Sequence, residues 1–318
     1  MKATTEEEEC SICLGLLARS SVIKLDCAHE FHADCVAQLR KFGVNQVCPL
    51  CRIPLPPGPE KLFEEAIRCY LVFEQLVVRG EATWSALPAS VQVELDGAIS
   101  KLQEAAEIGY APAQCSLARI YGSGHGVMQN DARSFQWYRK AAIQGNARSQ
   151  SILGCLYREG RGVAQNYTEA ALWLHKAAEQ GVANAQRYLG GLYQEGHGVA
   201  QSDEKAAQWW KKAADQGDLP SMHILGYQFL EGNGVGQSKV KGIRYLQKAA
   251  DLGYADAQFK LGLSLQIGDN MTQSDVKAAQ WYTKAADQGH KEAQCNLGMI
   301  YAKGHGECVR ERGANTKW

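Results

Sequence analysis

Apolar positions recur along most of the chain with a period of 36 residues, and each period divides into two halves. The segments AQCSLARIYGSGHGV (113–127) and AQRYLGGLYQEGHGV (185–199) show the first half. Each carries a Leu and, four residues later, an aromatic residue, which is the spacing of one helix face. A Gly-x-Gly sequence follows in most units and breaks the helix. The recurring leucines are Leu117, Leu153, Leu189, Leu225, Leu261 and Leu297.

The second half of each unit predicts another helix, as in WYRKAAIQG and WWKKAADQG. An aromatic residue precedes an Ala pair that allows close helix approach, and the following Gly stops the helix. One such hairpin cannot bury its own apolar face, so the units must stack. The pattern predicts a mostly α chain that is largely an α-solenoid of helical hairpins. We interpret one recurring aromatic position as core: Trp137, Trp173, Trp209 and Trp281.

The pattern changes on both sides of this array. Residues 61–79 have the pattern of an amphipathic helix, and a second helix is predicted to start near Pro88; together they are expected to cap the first repeat. The preceding IPLPPGPE has four Pro in eight residues and predicts an extended linker. The last unit lacks its expected second helix after Gly306, and an exposed end could pair two chains as a homodimer. The predicted segments are 9–56, 57–60, 61–92 and 93–318.

Composition narrows the class of protein. Lys+Arg and Asp+Glu number 34 each, so the formal net charge is zero. This balance argues against a broad basic face that binds DNA or RNA. No apolar run approaches the roughly 20 residues that cross a bilayer. The acidic start MKATTEEEEC lacks the apolar segment of a secretory signal. We expect an intracellular protein with no membrane span, in the cytoplasm, with the nucleus as a second location.

The first fifty residues carry a dense set of metal-ligand side chains. Six of the 11 Cys lie at or before position 51, and CAHEFHADC (27–35) adds two His. Eight ligands form four close pairs, enough for two closed tetrahedral zinc sites of structural type. The pairs are Cys10/Cys13, Cys27/His29, His32/Cys35 and Cys48/Cys51. Spacing alone leaves open whether neighbouring or alternate pairs share an ion.

This spacing, C-x2-C-x13-C-x-H-x2-H-x2-C-x12-C-x2-C, resembles the RING finger in its two-histidine variant. The resemblance implies a cross-braced domain with two structural zinc ions, in which the first pair joins the third and the second joins the fourth. It assigns one site to Cys10, Cys13, His32 and Cys35 and the other to Cys27, His29, Cys48 and Cys51.

The same resemblance implies a ubiquitin-protein ligase that binds a ubiquitin-charged conjugating enzyme and forms no covalent intermediate of its own. The matching contact positions are Ile12 and Pro49, and Arg52 matches the basic residue that bonds both the conjugating enzyme and ubiquitin. Leu39 stands where two-histidine RING fingers often carry Trp, and supplies less apolar area.

The 36-residue pattern resembles the Sel-1-like repeat family, relatives of the tetratricopeptide repeat. The resemblance implies an adaptor surface for a protein substrate or partner. Two functions compete: a ligase that recruits substrate through its repeats, and a non-catalytic zinc-binding scaffold. The trio of Ile12, Pro49 and Arg52 favours the ligase, because a scaffold has no need of it.

Scattered Cys and His residues are interpreted as structural. Cys69, Cys155 and Cys295 fall in predicted helices and are expected to be buried thiols. His125, His197 and His305 lie in Gly-His-Gly turns and are expected to be turn residues.

Overall fold

The computed structural model describes residues 22–25, 30–32, 35–36, 38–39, 47–48, 50–52, 55, 57–84 and 87–302. The chain divides into two compact units, Met1–Ser149 and Gln150–Trp318. Within the described residues lie two short strands and thirteen helices. The prediction of a mostly α chain with a solenoid of helical hairpins is confirmed.

The first unit begins with a short hairpin. Strand β1 (Val22–Lys24) pairs antiparallel with β2 (Glu30–His32), and Ile23 lies opposite Phe31. A small core surrounds it, formed by the buried Leu25, Phe31, Val36, Cys48 and Leu55. A core of this size contributes little stability by itself, so a domain built on it needs other support.

Helices follow the hairpin in the first unit: α1 (Pro59–Val78), α2 (Ala89–Glu107), α3 (Ala111–Ser123) and α4 (Asp131–Ile143). The apolar faces of α1 and α2 bury Tyr70, Phe73 and Leu102 in one cluster with Leu117 of α3. Helices α1 and α2 therefore cover the first repeat as the expected cap would. The exact borders of the four predicted segments stay predictions.

The second unit continues the repeats. The boundary between the units falls inside helix α5 (Ala147–Glu159), after Ser149. The remaining helices are α6 (Tyr167–Glu179), α7 (Ala183–Glu195), α8 (Asp203–Asp215), α9 (Leu219–Glu231), α10 (Lys239–Asp251), α11 (Ala255–Ile267), α12 (Asp275–Asp287) and α13 (Lys291–Ala302). From α6 onward each helix packs against the next one in sequence. No helix of the described residues is long and apolar enough to span a membrane.

Helix ends follow the repeat. Second helices of the repeats start at a residue whose side chain accepts a backbone N–H, as Asn166 does from Thr168 and Glu169 in α6. The equivalent caps are Asn130, Ser202, Ser238 and Ser274. First helices end at a left-handed Gly, for example Gly196 after α7, which only Gly adopts without strain.

Close helix approach inside four of the hairpins depends on one Gly, whereas the first hairpin has Ala118 at the equivalent position. A Cβ built at Gly190 in α7 would lie 2.5 Å from the Trp210 indole of α8. Gly154, Gly226 and Gly262 meet Leu174, Leu246 and Tyr282 in the same way, at 2.6–2.7 Å. Each large side chain therefore lies directly over the glycine of the preceding helix.

The recurring tryptophans predicted as core lie at the edge of the core, and Trp137, Trp209 and Trp281 pack against the buried clusters. Trp137, Trp173, Trp209 and Trp281 are half-buried, and a lysine three residues later lies over each ring at 3.8–4.4 Å. The next residue in each helix is the fully buried one, as Trp210 is after Trp209. The periodicity placed the buried face one residue too early, because both residues border the same apolar stripe.

Buried glutamines link consecutive helices. The amide of Gln186 in α7 donates to the Ala178 carbonyl at 3.0 Å, and its oxygen accepts from Gln216 after α8 at 2.8 Å. Gln114 with Gln144 and Gln258 with Gln288 repeat this link, and Gln180 donates to Gln150 at 2.7 Å. Met222 and Leu252 replace both partners in the hairpin of α9 and α10.

Candidate functional site

Half of the predicted zinc ligands fall within the described residues. His32 ends β2, Cys35 begins the next helical turn, and Cys48 and Cys51 flank a turn. Cys10, Cys13, Cys27 and His29 lie outside the described residues, as do Ile12 and Pro49. Among the residues that the structure describes, no three His, Cys, Asp or Glu side chains gather into a metal site.

Two of the described ligand cysteines contact the small core, whereas Cys51 is exposed. Cys48 is completely buried in it, and Cys35 packs against it. The resemblance assigned these two residues to different ions, so one apolar cluster contacts a predicted ligand of each site. Cys and His donors in this number suit tetrahedral zinc, and thiolates are its preferred ligands in structural sites. The residues present therefore fit a zinc-supported domain.

Three described residues of the turn from Cys48 to Arg52 are exposed: Leu50, Cys51 and Arg52. The backbone N–H of Arg52 donates to the Cys48 carbonyl at 2.8 Å, and Arg52 takes a left-handed backbone with φ of 63°. Arg52 is exposed and follows the last predicted ligand directly. A non-glycine residue rarely adopts this conformation without a local reason. The closed turn fixes where the Arg52 side chain leaves the backbone.

Leu50 is a candidate contact residue that sequence reasoning missed. It lies between Cys48 and Cys51, and 55% of it is exposed. Leu39, which was predicted to contact the conjugating enzyme, is half-buried. Its spacing alone did not show that Leu50 is exposed, because this exposure depends on the turn closed by the hydrogen bond from Arg52 to Cys48.

The first helices of the second unit carry a cluster of paired charges. Arg187 Nε lies 3.3 Å from the Asp218 carboxylate, and the Tyr254 hydroxyl donates to Asp256 at 2.8 Å. Burial raises the pKa of Tyr254 to about 12, and the hydrogen-bonded Asp256 carboxylate contributes to this rise. Burial lowers the pKa of the neighbouring His223. The opposite charges of Arg187 and Asp218 largely offset each other, so the cluster forms a polar surface of mixed charge.

The thiols of the array differ in accessibility. Burial raises the pKa of the Cys155 thiol to about 11, in line with its predicted structural role. Cys69 is half-buried. Cys295 in α13 is exposed, so the prediction that it is buried was wrong. The helical pattern did not show this exposure, because a side chain at the position of Cys295 is covered only where a neighbouring helix packs over it.

The predicted turn histidines occupy turns. Gly124 and Gly126, on either side of His125, have positive φ, and the His125 ring stacks on Trp84 with centroids 5.0 Å apart. His197 stacks on Tyr167 at 4.4 Å. Both therefore pack against aromatic rings in the turns; His305 lies outside the described residues.

Comparison with known families supports both parts of the chain. The Ring finger domain matches residues 8–52. Residues 8–52 are followed by six matches to the Sel1 repeat, over 111–146, 147–182, 183–218, 219–254, 255–290 and 291–311.

Two curated relatives match the N-terminal segment alone. The probable E3 ubiquitin-protein ligase XERICO of Arabidopsis thaliana is 44% identical over 55 residues, which are 17% of this chain and 33% of that protein. An uncharacterized RING finger protein of Schizosaccharomyces pombe is 37% identical over 57 residues, 18% of this chain and 11% of that protein. The chain therefore spans a third or less of the curated relatives that it matches.

Two solved structures match the helical part. A Sel1 repeat protein from Oxalobacter formigenes is 32% identical with a TM-score of 0.59, covering 68% of this chain and 88% of that one. The protective antigen c5321 of uropathogenic Escherichia coli, which displays an SLR fold, is 33% identical with a TM-score of 0.61, covering 73% of this chain and 52% of that one. The chain belongs to the Sel1 repeat family and carries a RING finger of the two-histidine type ahead of its repeats.

Proposed function

We propose that the protein is a RING-type ubiquitin-protein ligase that binds a ubiquitin-charged conjugating enzyme and recruits its substrate through the Sel1 repeats. The observation that carries this proposal is the Ring finger match over residues 8–52, together with 44% identity to a probable E3 ubiquitin-protein ligase in the same segment. The repeats support the second half of the proposal, because stacked helical hairpins offer extended surfaces to other proteins.

Zinc has a structural part in this proposal. Cys10, Cys13, His32 and Cys35 would hold one ion, and Cys27, His29, Cys48 and Cys51 the other. Closed tetrahedral sites supply folding free energy and no open position for chemistry; small metal-folded peptides gain about 10–16 kcal/mol from such an ion. The small core around Phe31 and Cys48 needs that support.

The proposed reaction is a transfer by positioning. Ile12, Leu39, Leu50 and Pro49 would give the conjugating enzyme an apolar contact, and Arg52 would donate hydrogen bonds to it and to its ubiquitin. Arg suits this place because its planar group offers several donors at once. Holding the thioester and the attacking amine of a substrate together raises the rate by proximity, without a nucleophile on the RING.

Self-ubiquitination with a panel of conjugating enzymes tests the proposal. We expect chains with wild-type protein and a loss of at least about tenfold in rate for Arg52→Ala and for Ile12→Ala. Arg79→Ala is the matched control, because Arg79 is equally exposed and follows α1, away from the predicted ligands. Zinc content measured on each sample separates a lost contact from a lost fold.

The non-catalytic scaffold is the second candidate. Leu39 favours it, because a smaller side chain at that position weakens the apolar contact with a conjugating enzyme. No chain formation with any enzyme of the panel, from protein that holds its zinc, would exclude the ligase and leave the scaffold.

Two predictions about the whole protein complete the proposal. Location in the cytoplasm or nucleus can be tested by imaging the tagged full chain. A homodimer can be tested by light scattering, with a mass of twice 34.8 kDa as the expected value.

A further inference from the structure

Helix α10 differs from α8, the second helix one period earlier, on its outward face. Val240, Arg244 and Leu252 stand where the chain has Glu204, Gln208 and Gln216 one period earlier. The exchange at Leu252 removes a hydrogen bond that the other second helices make. Its counterparts Gln144, Gln180, Gln216 and Gln288 all bond to a glutamine of the preceding helix, whereas Leu252 is 58% exposed to solvent. An apolar side chain thus replaces a bonded polar one on the surface.

These exchanges build an apolar cleft of about 860 Å³ on one side of α10. Val240, Ile243 and Leu252 form its helical wall, and Met271 in the loop after α11 also lines it. Val240 is 81% exposed. Exposed apolar surface of this kind on a protein that already buries a core indicates a contact with another molecule.

A second cleft of about 420 Å³ lies on the other side of the same helix. Phe229 and Tyr245 form its aromatic floor, with rings stacked at 5.7 Å. Arg244 and Lys248 line both clefts and so form a basic ridge between them.

The charge around the two clefts is unbalanced. The cations are Lys211, Lys239, Lys241, Arg244 and Lys248, and the two acids are Asp215 and Asp251. Within the described part of the chain none of the five cations forms an ion pair, and their positions are exposed. The polar cluster around Arg187 and Asp218 differs in this respect, because its charges are paired. The α10 surface therefore presents a net positive charge in a chain whose formal total is zero.

We propose that the α10 surface binds an acidic peptide segment with a large apolar anchor. The anchor would enter the cleft at Val240 and Leu252, and carboxylates or phosphates of the segment would meet Arg244 and Lys248. Charge complementarity selects this occupant: a basic or neutral apolar segment would leave the ridge unpaired. The inference names the substrate class of the proposed ligase and so rests on that proposal.

Selection from a random peptide library on the full-length, zinc-loaded protein tests the surface. We expect the selected peptides to combine an excess of Asp and Glu with a large apolar residue, and to bind less tightly as salt is added. Fluorescence polarisation of the selected peptides then compares wild type with the triple variant V240E/R244Q/L252Q. Its three new residues occur one period earlier, but the new glutamine at position 252 would face Met222 where Gln216 faces Gln186, so circular dichroism of the variant checks that it folds.

The triple variant should lower affinity by at least about tenfold. Lys241→Glu should weaken binding, while Lys205→Glu, the equivalent exposed lysine on α8, should leave it unchanged. Failure to select any peptide, selection of peptides without acidic residues, or equal binding to the triple variant would each overturn the inference. A labelled single DNA strand that binds wild type but not the variant, with no acidic peptide selected, would assign the surface to nucleic acid instead. The selection needs no conjugating enzyme, so it can succeed even if the ligase assay fails.

Discussion

Gly190 and Gly191 are neighbours in α7 with opposite surroundings. A Cβ at Gly190 would collide with the Trp210 ring, whereas a Cβ at Gly191 would meet nothing within 4 Å. The first glycine is required by the close approach of α8. The second gives the helix only backbone freedom, which costs stability in a helix interior.

Alanine at these two positions should therefore have effects of opposite sign. Gly190→Ala is expected to lower the free energy of unfolding by about 1–3 kcal/mol, because Trp210 must move. Gly191→Ala is expected to raise it by about 0.5–1 kcal/mol through helix propensity. Urea unfolding followed by circular dichroism measures both. Equal effects of the two substitutions would contradict the packing described for α7 and α8.

The glutamine link allows a test with a native control. Gln186→Met leaves the Gln216 amide without its acceptor and should cost about 1–3 kcal/mol. Adding Gln216→Leu reproduces the Met222 and Leu252 pair of the next hairpin, and should cost less in the Met background than in wild type. A coupling energy of at least about 0.5 kcal/mol is expected from the double-mutant cycle. Strict additivity would show that the two amides do not interact.

Thiol reactivity should separate Cys155 from Cys295. The thiolate is the reactive form, and burial raises the pKa of Cys155 to about 11, so this residue stays protonated below that pH. Cys295 is exposed. Alkylation with iodoacetamide at pH 8, followed by peptide mass spectrometry, should modify Cys295 first. Faster labelling of Cys155 would show that α5 opens readily.

At the scale of the helix, the sequence predicted most of what the structure contains. The 36-residue period located both helices of each hairpin, since Leu and Gly recur at fixed places. Helix α1 starts at Pro59, close to the predicted residue 61, because Pro is favoured in the first helical turn. Two features could not be predicted without knowing where the neighbouring helix packs: which of Trp209 and Trp210 is buried, and that Cys295 is exposed.

The spacing of Cys and His in the sequence also identified the candidate zinc ligands. It did not identify every candidate contact residue for a conjugating enzyme. Leu50 was missed because its exposure depends on the closed turn that ends at Arg52. The clefts beside α10 combine residues of α8, α9, α10 and a later loop, and no single segment of sequence contains that arrangement.

Capping of the second helices can be tested at one end of α6. Asn166→Ala removes the acceptor for two backbone N–H groups and should lower the free energy of unfolding by about 1 kcal/mol. Asn166→Ser should retain most of the stability, because Ser caps the equivalent helices at positions 202, 238 and 274. Thermal unfolding of the three proteins measures the difference. A Ser variant as unstable as the Ala variant would contradict the capping role.

At the scale of the whole molecule, zinc and helix content should be separable. A chelator such as phenanthroline is expected to release two zinc ions per chain and abolish ubiquitin transfer. The helical circular dichroism signal should change little, because the thirteen described helices lie within residues 59–302, after the predicted ligands. Loss of most of the helical signal on chelation would show that the array depends on metal.

Each glutamine link joins the two helices of one 36-residue repeat, as Gln186 with Gln216 and Gln258 with Gln288 do. The block 219–254, which carries Met222 and Leu252 instead of the linked glutamines, has the same length as its neighbours and lies between two repeats that keep the link. Because whole repeats share one length, the exchange of one repeat for another would alter the proposed binding surface without shifting the register of the remaining repeats. A lineage could therefore change its binding partners by recombining whole repeats, without altering residues 8–52.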